Sequence, residues 1–338
     1  MDQVFTYDAF VHAIAGTVGG QVAMSAFYPL DILRTYMQVN ENLKGKSSLQ
    51  VTRAIIQEEG TGALYKGLGP VLGSLAASNF IYFYTNNMLK ALVRNYTQQK
   101  NVTTGQNLLI ASAAGCVNVL TTCPLWVVSA RLKTQKGSSS SGGRRSGGKG
   151  GEASSSTATT TSKALKPYNG FIDGLIRISQ EEGIGALWNG CMASLVLVSN
   201  PTIQFVAYDA IRRFAVTRAN RDGRKSLTTW EIFILGAVAK AIATFVTYPL
   251  QVAQSKLRNS NKNLTGEDAK SSGIRSYKNT LDCLIQMFQA DGFYGWYKGL
   301  NVKLLQTVLM AAFHFLAYEK VAALIFALFG KTKVAASH

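Results

Sequence analysis

Two lysines stand in apolar sequence, where a charged side chain is costly. Lys240 is the only charged residue between positions 232 and 255, and Lys303 comes just before another apolar run. A lysine in the middle of a membrane-spanning helix costs roughly 3 kcal/mol to insert, so it usually faces a polar cavity. Both ammonium groups could bind phosphate, because charge-assisted hydrogen bonds strengthen at low dielectric. The alternatives are that Lys240 snorkels along its helix and that Lys303 binds lipid at the membrane interface.

Helical spacing supplies polar neighbours for these lysines. Thr244, Thr247 and Gln251 follow Lys240 at intervals of three or four residues, which places all of them on one helical face. Amide and hydroxyl groups with similar spacing occur on two other helices and could meet the edge of a base. These candidates are Asn200, Gln204, Asn79 and Tyr82. Their alternative role is hydrogen bonding between helices.

Long apolar helices must position these residues. No Asp, Glu, Lys or Arg occurs in the stretches 67–89, 102–130 and 190–208, and none occurs in 9–30. Crossing a hydrocarbon layer takes roughly 20 mostly apolar helical residues. The sequence therefore predicts an all-α membrane protein that crosses the bilayer several times. The amino-terminal residues "MDQVFTYDAF" do not have the pattern of a cleavable signal peptide.

Charge and cysteine content narrow the possible functions. The formal net charge of +17 would suggest nucleic-acid binding in a soluble protein. No basic patch interleaved with stacking aromatic residues accompanies it, so we expect no nucleic-acid partner. In a membrane protein the excess suits anionic lipid head groups and attracts anionic solutes. The cysteines at 116, 123, 191 and 283 have neither the spacing of a zinc site nor that of a disulfide framework.

Three signatures recur in the same order, which indicates a threefold repeat. Pro-Leu lies inside an apolar segment in "FYPLDILRTYMQ", "TCPLWVVSARLK" and "TYPLQVAQSKLR". Paired glycines follow in "EEGTGALYKG", "EEGIGALWNG" and "ADGFYGWYKG", and then an aromatic-rich helix in "NFIYFYT", "IQFVAYD" and "FHFLAYE". Each unit is predicted to contain a spanning helix with the proline, a polar loop, a short amphipathic helix and a second spanning helix. Three units give six transmembrane helices.

The repeats are predicted to cover residues 1–100, 101–220 and 221–338. The middle repeat is lengthened by a tract rich in Gly, Ser and Thr at 136–163. Such a tract cannot bury enough apolar surface to fold, so we expect a disordered loop that acts as a spacer.

These features resemble the mitochondrial carrier family over nearly the whole chain. The resemblance implies three pseudo-symmetric two-helix repeats around a central cavity and solute transport by alternating access. The family motif Pro-x-Asp/Glu-x-x-Lys/Arg is matched by Pro29, Asp31 and Arg34, and Gln38 has the position of the family's glutamine brace. Family members close this side of the cavity with ion pairs between repeats. We call the corresponding residues, from two to nine positions after each proline, the proline-side gate.

The other two copies of this motif lack its charges. The acidic and basic positions are held by Trp126, Ser129, Gln251 and Gln254. In the family's register Asp31 would face Ser129 and Arg34 would face Gln251. We therefore expect no ion pair of this register between repeats, and at most a hydrogen bond from Arg34 to Gln251.

The opposite side resembles the family's second gate, with the motif Phe/Tyr-Asp/Glu-x-x-Lys/Arg. Tyr208, Asp209 and Arg212 match it completely. The copies in the first and third repeats lack one or both charges. They are Tyr84, Thr85 and Met88 in the first repeat and Tyr318, Glu319 and Ala322 in the third. We call these nine positions the tyrosine-side gate and expect no ion pair of the family's register there. Since isolated ion pairs contribute little, the expectation is counter-exchange with weakly held gates and some uniport leakage.

Several stretches resemble a peroxisomal branch of the family, among them "SNFIYFYT", "NPTIQF" and "YKGLNVKLLQTVL". This resemblance implies transport of coenzyme A, FAD, FMN, NAD, AMP, ADP and ATP across the peroxisomal membrane. The family's contact sites fall at Gln306, beside Lys303, and at Val196 and Leu197, an apolar pair on which an adenine or flavin ring could rest. A nucleotide or cofactor carrier of the mitochondrial inner membrane is the alternative.

Two other classes of function are weighed against transport. An enzyme would need a nucleophile, base or metal cluster, and the scattered histidines at 12, 314 and 338 provide none, so we expect neither catalysis nor a resident metal or cofactor. A non-transporting docking protein is possible because the loop 211–226 is strongly basic. The resemblance implies an import receptor for peroxisomal membrane proteins as partner, lipid phosphates held by the helix-start glycines, and a monomer.

Overall fold

The protein is described by a computed structural model that covers residues 18–43, 45–97, 103–135, 167–221, 224, 227–260, 276–310 and 313. Within these ranges the chain forms α-helices and short 3-10 helices and no strand. Several expectations lie outside the described residues. These are the disordered tract 136–163, the three histidines, and the gate residues Tyr318, Glu319 and Ala322.

Each repeat has the same order of elements. The first contains α1 (residues 18–26), α2 (Tyr28–Val39), α3 (Ser48–Glu59) and α4 (Leu68–Thr97). The second contains α5 (Thr104–Thr134), α6 (Phe171–Glu181), α7 (Cys191–Leu197) and α8 (Asn200–Arg221). The third contains α9 (Thr229–Asn259), α10 (Thr280–Trp296) and α11 (Leu300–Met310). Short 3-10 helices occupy Glu41–Leu43, Thr61–Tyr65 and Ile184–Trp188. The predicted order of proline helix, amphipathic helix and second long helix is confirmed in the first two repeats, and the third repeat follows it as far as Met310.

The local sequence determines where three of the helices begin. Capping boxes, in which the cap side chain and the third residue of the helix bond each other's backbone amides, begin α3, α5 and α9. Their residues are Ser47 with Gln50, Thr103 with Gln106, and Thr228 with Glu231. Such caps satisfy amides that the helix itself leaves without partners.

The prolines of the three Pro-Leu signatures occupy different positions in their helices. Pro124 and Pro249 lie inside the continuous helices α5 and α9. In the first repeat the helix is interrupted at Phe27, and Pro29 lies in the first turn of α2. A proline has no amide hydrogen, so the first turn is the place where it costs least.

Three of the described helical segments are long and apolar enough to cross a membrane: Gly105–Thr134, Ile184–Arg221 and Trp230–Asn259. α4 has 30 residues, which corresponds to about 45 Å of helix. The all-helical, apolar architecture agrees with the predicted class of a membrane protein.

The hydrophobic cores lie on the proline side of the molecule, one in each repeat. In each core the segment after the proline packs against the amphipathic helix and the glycine signature. The cores include Ile32 with Val51, Val128 with Ile178, and Val252 with Met287. Cys283 belongs to the third core, and burial raises the pKa of its thiol to about 12, so this cysteine packs as an apolar side chain.

The second signature glycine of each repeat brings the following repeat close. Gly67, Gly190 and Gly299 have φ of 73°, 80° and 81°, which only glycine adopts without strain. A Cβ on Gly67 would lie 3.2 Å from Cγ of Lys133, and one on Gly190 would lie 3.2 Å from the carbonyl oxygen of Gln254. These glycines therefore let neighbouring proline helices approach closely enough to form a gate.

Candidate functional site

The junction between the first and second repeats is held by a buried ion pair. The ammonium group of Lys133 on α5 pairs with the carboxylate of Asp31 on α2. Gln306 Nε2 donates to the same carboxylate at 3.4 Å, and Arg34 Nη1 lies 3.8 Å from it. The expectation that Asp31 faces Ser129 is therefore wrong, because Asp31 pairs with Lys133.

Among the described residues, no ion pair joins the second and third repeats. The guanidinium of Arg258 on α9 lies over the ring of Trp126, 5.6 Å from its centroid, and Nη2 donates to Ser194 Oγ at 3.3 Å. Further along α5, Arg131 bonds Glu182 within its own repeat and donates from Nη2 to the carbonyl oxygen of Ser260 at 2.7 Å. A cation over an aromatic face contributes roughly 0.5 to 2 kcal/mol, more when it is desolvated.

The junction between the third and first repeats uses neutral hydrogen bonds and a further ion pair. Gln38 Nε2 donates to the hydroxyl of Tyr248 at 3.1 Å, and that hydroxyl donates to the carbonyl oxygen of Lys298 at 3.0 Å. Lys256 Nζ lies 3.1 Å from Glu41 Oε1. This placement agrees with Gln38 as a brace at the gate.

The other residues expected to pair at this gate also have different partners from those predicted. Ser129 Oγ lies 2.8 Å from Ser74 Oγ, and Gln254 Nε2 donates to Ser194 Oγ at 2.7 Å, so both side chains turn to the start of a second long helix. Gln251 donates to Thr247 within α9, and no bond to Arg34 is present among the described residues. The expected Arg34 to Gln251 hydrogen bond is therefore wrong.

A shifted register accounts for these contacts. Gln38, Lys133 and Arg258 each stand nine residues after a proline, and each reaches towards the preceding repeat in the ring. The signal was visible in the sequence, because two of the three positions are basic where the first repeat has glutamine. Lys133 and Arg258 were not predicted because the charged family motif covers only the positions two and five residues after the proline, and the ninth position was assigned in the first repeat alone.

Two pairs of predicted cavity residues meet as helical spacing suggested. Lys240 Nζ donates to Gln204 Oε1 at 3.1 Å, joining α9 to α8. Asn200 Nδ2 donates to Thr247 Oγ1 at 2.7 Å and joins the same two helices nearer the proline. Asn200 thus has the interhelical role that was the alternative to a base contact, while Lys240 and Gln204 present polar atoms on an exposed surface between the helices.

Lys303 lies on α11 near the floor of the proline-side gate. It stands one turn before Gln306 on the same helix. Within the described ranges no hydrogen bond to its Nζ is present. The nearby Gln306 is buried and bonded to Asp31, so the structure places it in the gate.

A cavity of about 290 Å³ lies against the second repeat, between α4, α5, α7, α8 and α9. Tyr82 and Leu197 line it, as do Trp126 and Arg258. Val196 is exposed and Asn79 is partly buried, and neither is among the lining residues. Among the described side chains no group of three or more His, Cys, Asp or Glu could hold a metal ion.

The tyrosine-side gate is open where the structure describes it. Asp209 Oδ2 lies 2.7 Å from Arg213 Nη2 on the same helix, with side chains 41% and 81% exposed. Tyr84 and Arg212 are exposed, while Thr85 is buried. No hydrogen bond or ion pair joins two repeats at the described positions of this gate.

Sequence comparison identifies relatives of the whole chain. The model of the mitochondrial carrier protein family matches residues 6–97, 100–219 and 225–328. Peroxisomal membrane protein PMP34 of Mus musculus is 43% identical over 330 residues, 98% of each chain. The peroxisomal nicotinamide adenine dinucleotide carrier of Arabidopsis thaliana is 33% identical, covering 93% of this chain and 95% of its own. Peroxisomal adenine nucleotide carrier 1 of Glycine max is 26% identical, covering 94% and 91%.

Proposed function

Because the chain belongs to the mitochondrial carrier family, we propose that it carries anionic nucleotides and nucleotide cofactors across the peroxisomal membrane. The names of two relatives, a peroxisomal carrier of nicotinamide adenine dinucleotide and a peroxisomal carrier of adenine nucleotides, support this substrate class. The apolar spanning helices support an integral membrane location. Transport would proceed by alternating access, in which one gate opens only when the other is closed.

The observation that carries the proposal is the unequal charge around the closed gate. Lys133 and Arg34 both approach the carboxylate of Asp31, and Lys303 stands one turn before Gln306, which bonds the same carboxylate. Lys133 is buried and Arg34 and Lys303 are partly buried, so this excess of cations over carboxylates is costly unless an anion joins it. A nucleotide or coenzyme A phosphate would supply that charge, and charge-assisted hydrogen bonds would orient it.

The proposed substrates are coenzyme A, FAD, FMN, NAD, AMP, ADP and ATP. The relatives' names support NAD and the adenine nucleotides, whereas coenzyme A and the flavins rest on the sequence resemblance. Substrate contacts are assigned to Lys240, Lys303, Gln204, Leu197 and Tyr82. Counter-exchange is the main mode, since contacts at all three junctions hold the proline-side gate shut in the absence of ligand.

Uptake into liposomes tests the transport function. Purified protein is reconstituted into vesicles preloaded with one compound of the panel, and uptake of each labelled compound is measured against protein-free vesicles. We expect saturable uptake of at least one nucleotide or cofactor. No uptake from any internal load would overturn the function, and substrate-dependent thermal stabilisation would separate a carrier from a protein that only docks.

Lys240 has the largest expected role in substrate binding. Lys240→Ala removes an ammonium group that the substrate would meet between α8 and α9, so uptake should fall by about tenfold or more. Lys240→Arg should retain part of the uptake, because it keeps the charge. The matched control is Lys278→Ala, which removes an exposed lysine before α10. Equal uptake by Lys240→Ala and the control would show that Lys240 does not contribute to substrate binding.

Additional partners are proposed on the surface. The segment 211–226 begins with the exposed end of α8, which carries Arg218 and Arg221. This basic end would engage an import receptor for peroxisomal membrane proteins, and helix-start glycines such as Gly190 would bind lipid phosphates. We propose that the carrier works as a monomer with its cavity inside one chain.

A further inference from the structure

The cavity against the second repeat is large enough for part of a nucleotide. Its volume of about 290 Å³ is near the lower end of ligand pockets, which begin at roughly 300 Å³. Polar atoms occur on several of its walls, from Asn118 on α5, Thr202 on α8 and Gln254 on α9. The cavity therefore combines a size and a lining that suit a phosphate with an attached ring.

A departure from threefold symmetry places this cavity in the second repeat. Tyr28 and Tyr248 precede their prolines and donate to the carbonyl oxygens of Lys66 and Lys298 at 2.8 and 3.0 Å. Cys123 holds the same position before Pro124 and lines the cavity. A thiol fills far less space than a phenol ring, so the second repeat keeps room that tyrosine fills in the other two.

Arg258 is the cation of this cavity and has no carboxylate partner among the described residues. Lys133, at the equivalent position of the second repeat, pairs with Asp31. The residue that corresponds to Asp31 in the second repeat is Trp126, and Arg258 lies over its ring instead. Arg258 Nε is buried without a hydrogen-bond partner in the described part of the chain, although Nη2 donates weakly to Ser194. A partly buried guanidinium with a buried, unbonded Nε has unused capacity to bind an anion.

We propose that a phosphate group of the transported nucleotide binds Arg258, displaces Trp126 as its partner, and thereby releases the junction between the second and third repeats. This inference rests on the proposed function and adds to it a subsite that also works as a latch. A phosphate offers charge-assisted bonds that are stronger than a single cation-π contact, so the exchange of partners is favourable. By linkage, the free energy that the phosphate gains at Arg258 opposes the closed gate.

Two substitutions separate binding from latching. Arg258→Gln removes both the anion site and the cation-π contact, so the KM for ADP uptake should rise by about tenfold and efflux without external ADP should increase. Trp126→Leu removes the latch and keeps the guanidinium, so efflux without external ADP should increase while the KM stays within about threefold of wild type. Arg53→Gln removes an exposed arginine on α3 and serves as the control for charge.

The experiment uses full-length protein in liposomes, and transport by the wild-type protein is measured first. Failure of wild-type protein to transport ADP or any other compound of the panel refutes the proposed function itself. If wild type transports ADP and Arg258→Gln matches Arg53→Gln in KM and in efflux, the subsite is refuted while the function stands. If Arg258→Gln does not yield folded protein, the variants Arg258→Lys and Trp126→Leu are used in its place to test the proposal. An unchanged efflux in Trp126→Leu then overturns the latch, and an increase supports it.

Discussion

The proline-side gate and the described part of the tyrosine-side gate are closed to different degrees. At the proline-side gate, side chains from all three repeats join their neighbours through an ion pair, a cation-π contact and hydrogen bonds. At the described part of the tyrosine-side gate, the pair of Asp209 and Arg213 stays within one helix and is exposed. A gate motif with two degraded copies can therefore still form a closed gate, provided that other positions supply the contacts.

Buried contacts and exposed contacts have different energies, which makes this comparison testable. An exposed ion pair contributes about 0 to 1 kcal/mol, whereas leaving one member of a buried pair without its partner costs about 3 to 5 kcal/mol. Substitutions at the proline-side gate should accordingly change stability and leakage, and substitutions at the tyrosine-side gate should change neither in this conformation.

The largest effect is expected at Lys133. Lys133→Ala leaves the carboxylate of Asp31 buried without its ion-pair partner, so the closed conformation should lose about 3 to 5 kcal/mol. The measurement is thermal unfolding of the purified protein without substrate.

A double-mutant cycle is the control for that prediction. Asp31→Asn combined with Lys133→Ala removes the uncompensated charge, so the double variant should be more stable than Lys133→Ala alone. Additive losses from the two substitutions would mean that the pair does not hold the gate.

A smaller effect is expected at the junction of the third and first repeats. Gln38→Leu removes one buried neutral hydrogen bond to Tyr248, so unfolding should become easier by about 1 kcal/mol. Tyr248→Phe is the matched variant on the other side of this bond. A loss as large as that of Lys133→Ala would show that the three junctions do not differ in the way described.

The smallest effect is expected at the tyrosine-side gate. Asp209→Ala breaks an exposed contact within α8, so the melting temperature and the efflux without external nucleotide should both equal those of wild type. A marked loss of stability would mean that Asp209 already joins another repeat in the closed-cavity conformation.

Sequence reasoning was most successful where local rules apply. Repeats, helix order and the shared face of Lys240 follow from periodicity, and the structure brings Lys240 to Gln204 across two helices. It failed at Asp31, whose partner lies 102 residues away in the chain. Several basic residues could reach this carboxylate across the repeat boundary. Which of them does so depends on how the helices are rotated where they pack closely at Gly67, and the motif does not specify that rotation.

The candidate cavity was only partly predictable for the same reason. Tyr82 and Leu197 were identified and line the cavity, whereas Trp126 was treated only as a lost acidic position and Arg258 was not singled out. Recognising the cavity required knowing that Cys123 replaces a tyrosine that packs in the other two repeats. The difference is visible in the sequence, where the residue before the signature proline is Tyr28 in the first repeat, Cys123 in the second and Tyr248 in the third.

Efflux from liposomes tests most directly whether the proline-side gate couples transport to exchange. Wild-type protein and Lys133→Ala are reconstituted with labelled ADP inside, and efflux is measured with and without unlabelled ADP outside. We predict that wild-type efflux depends mainly on external ADP and that Lys133→Ala releases ADP without it. Equal efflux from the two proteins in the absence of external ADP would contradict a gate held by the pair of Asp31 and Lys133.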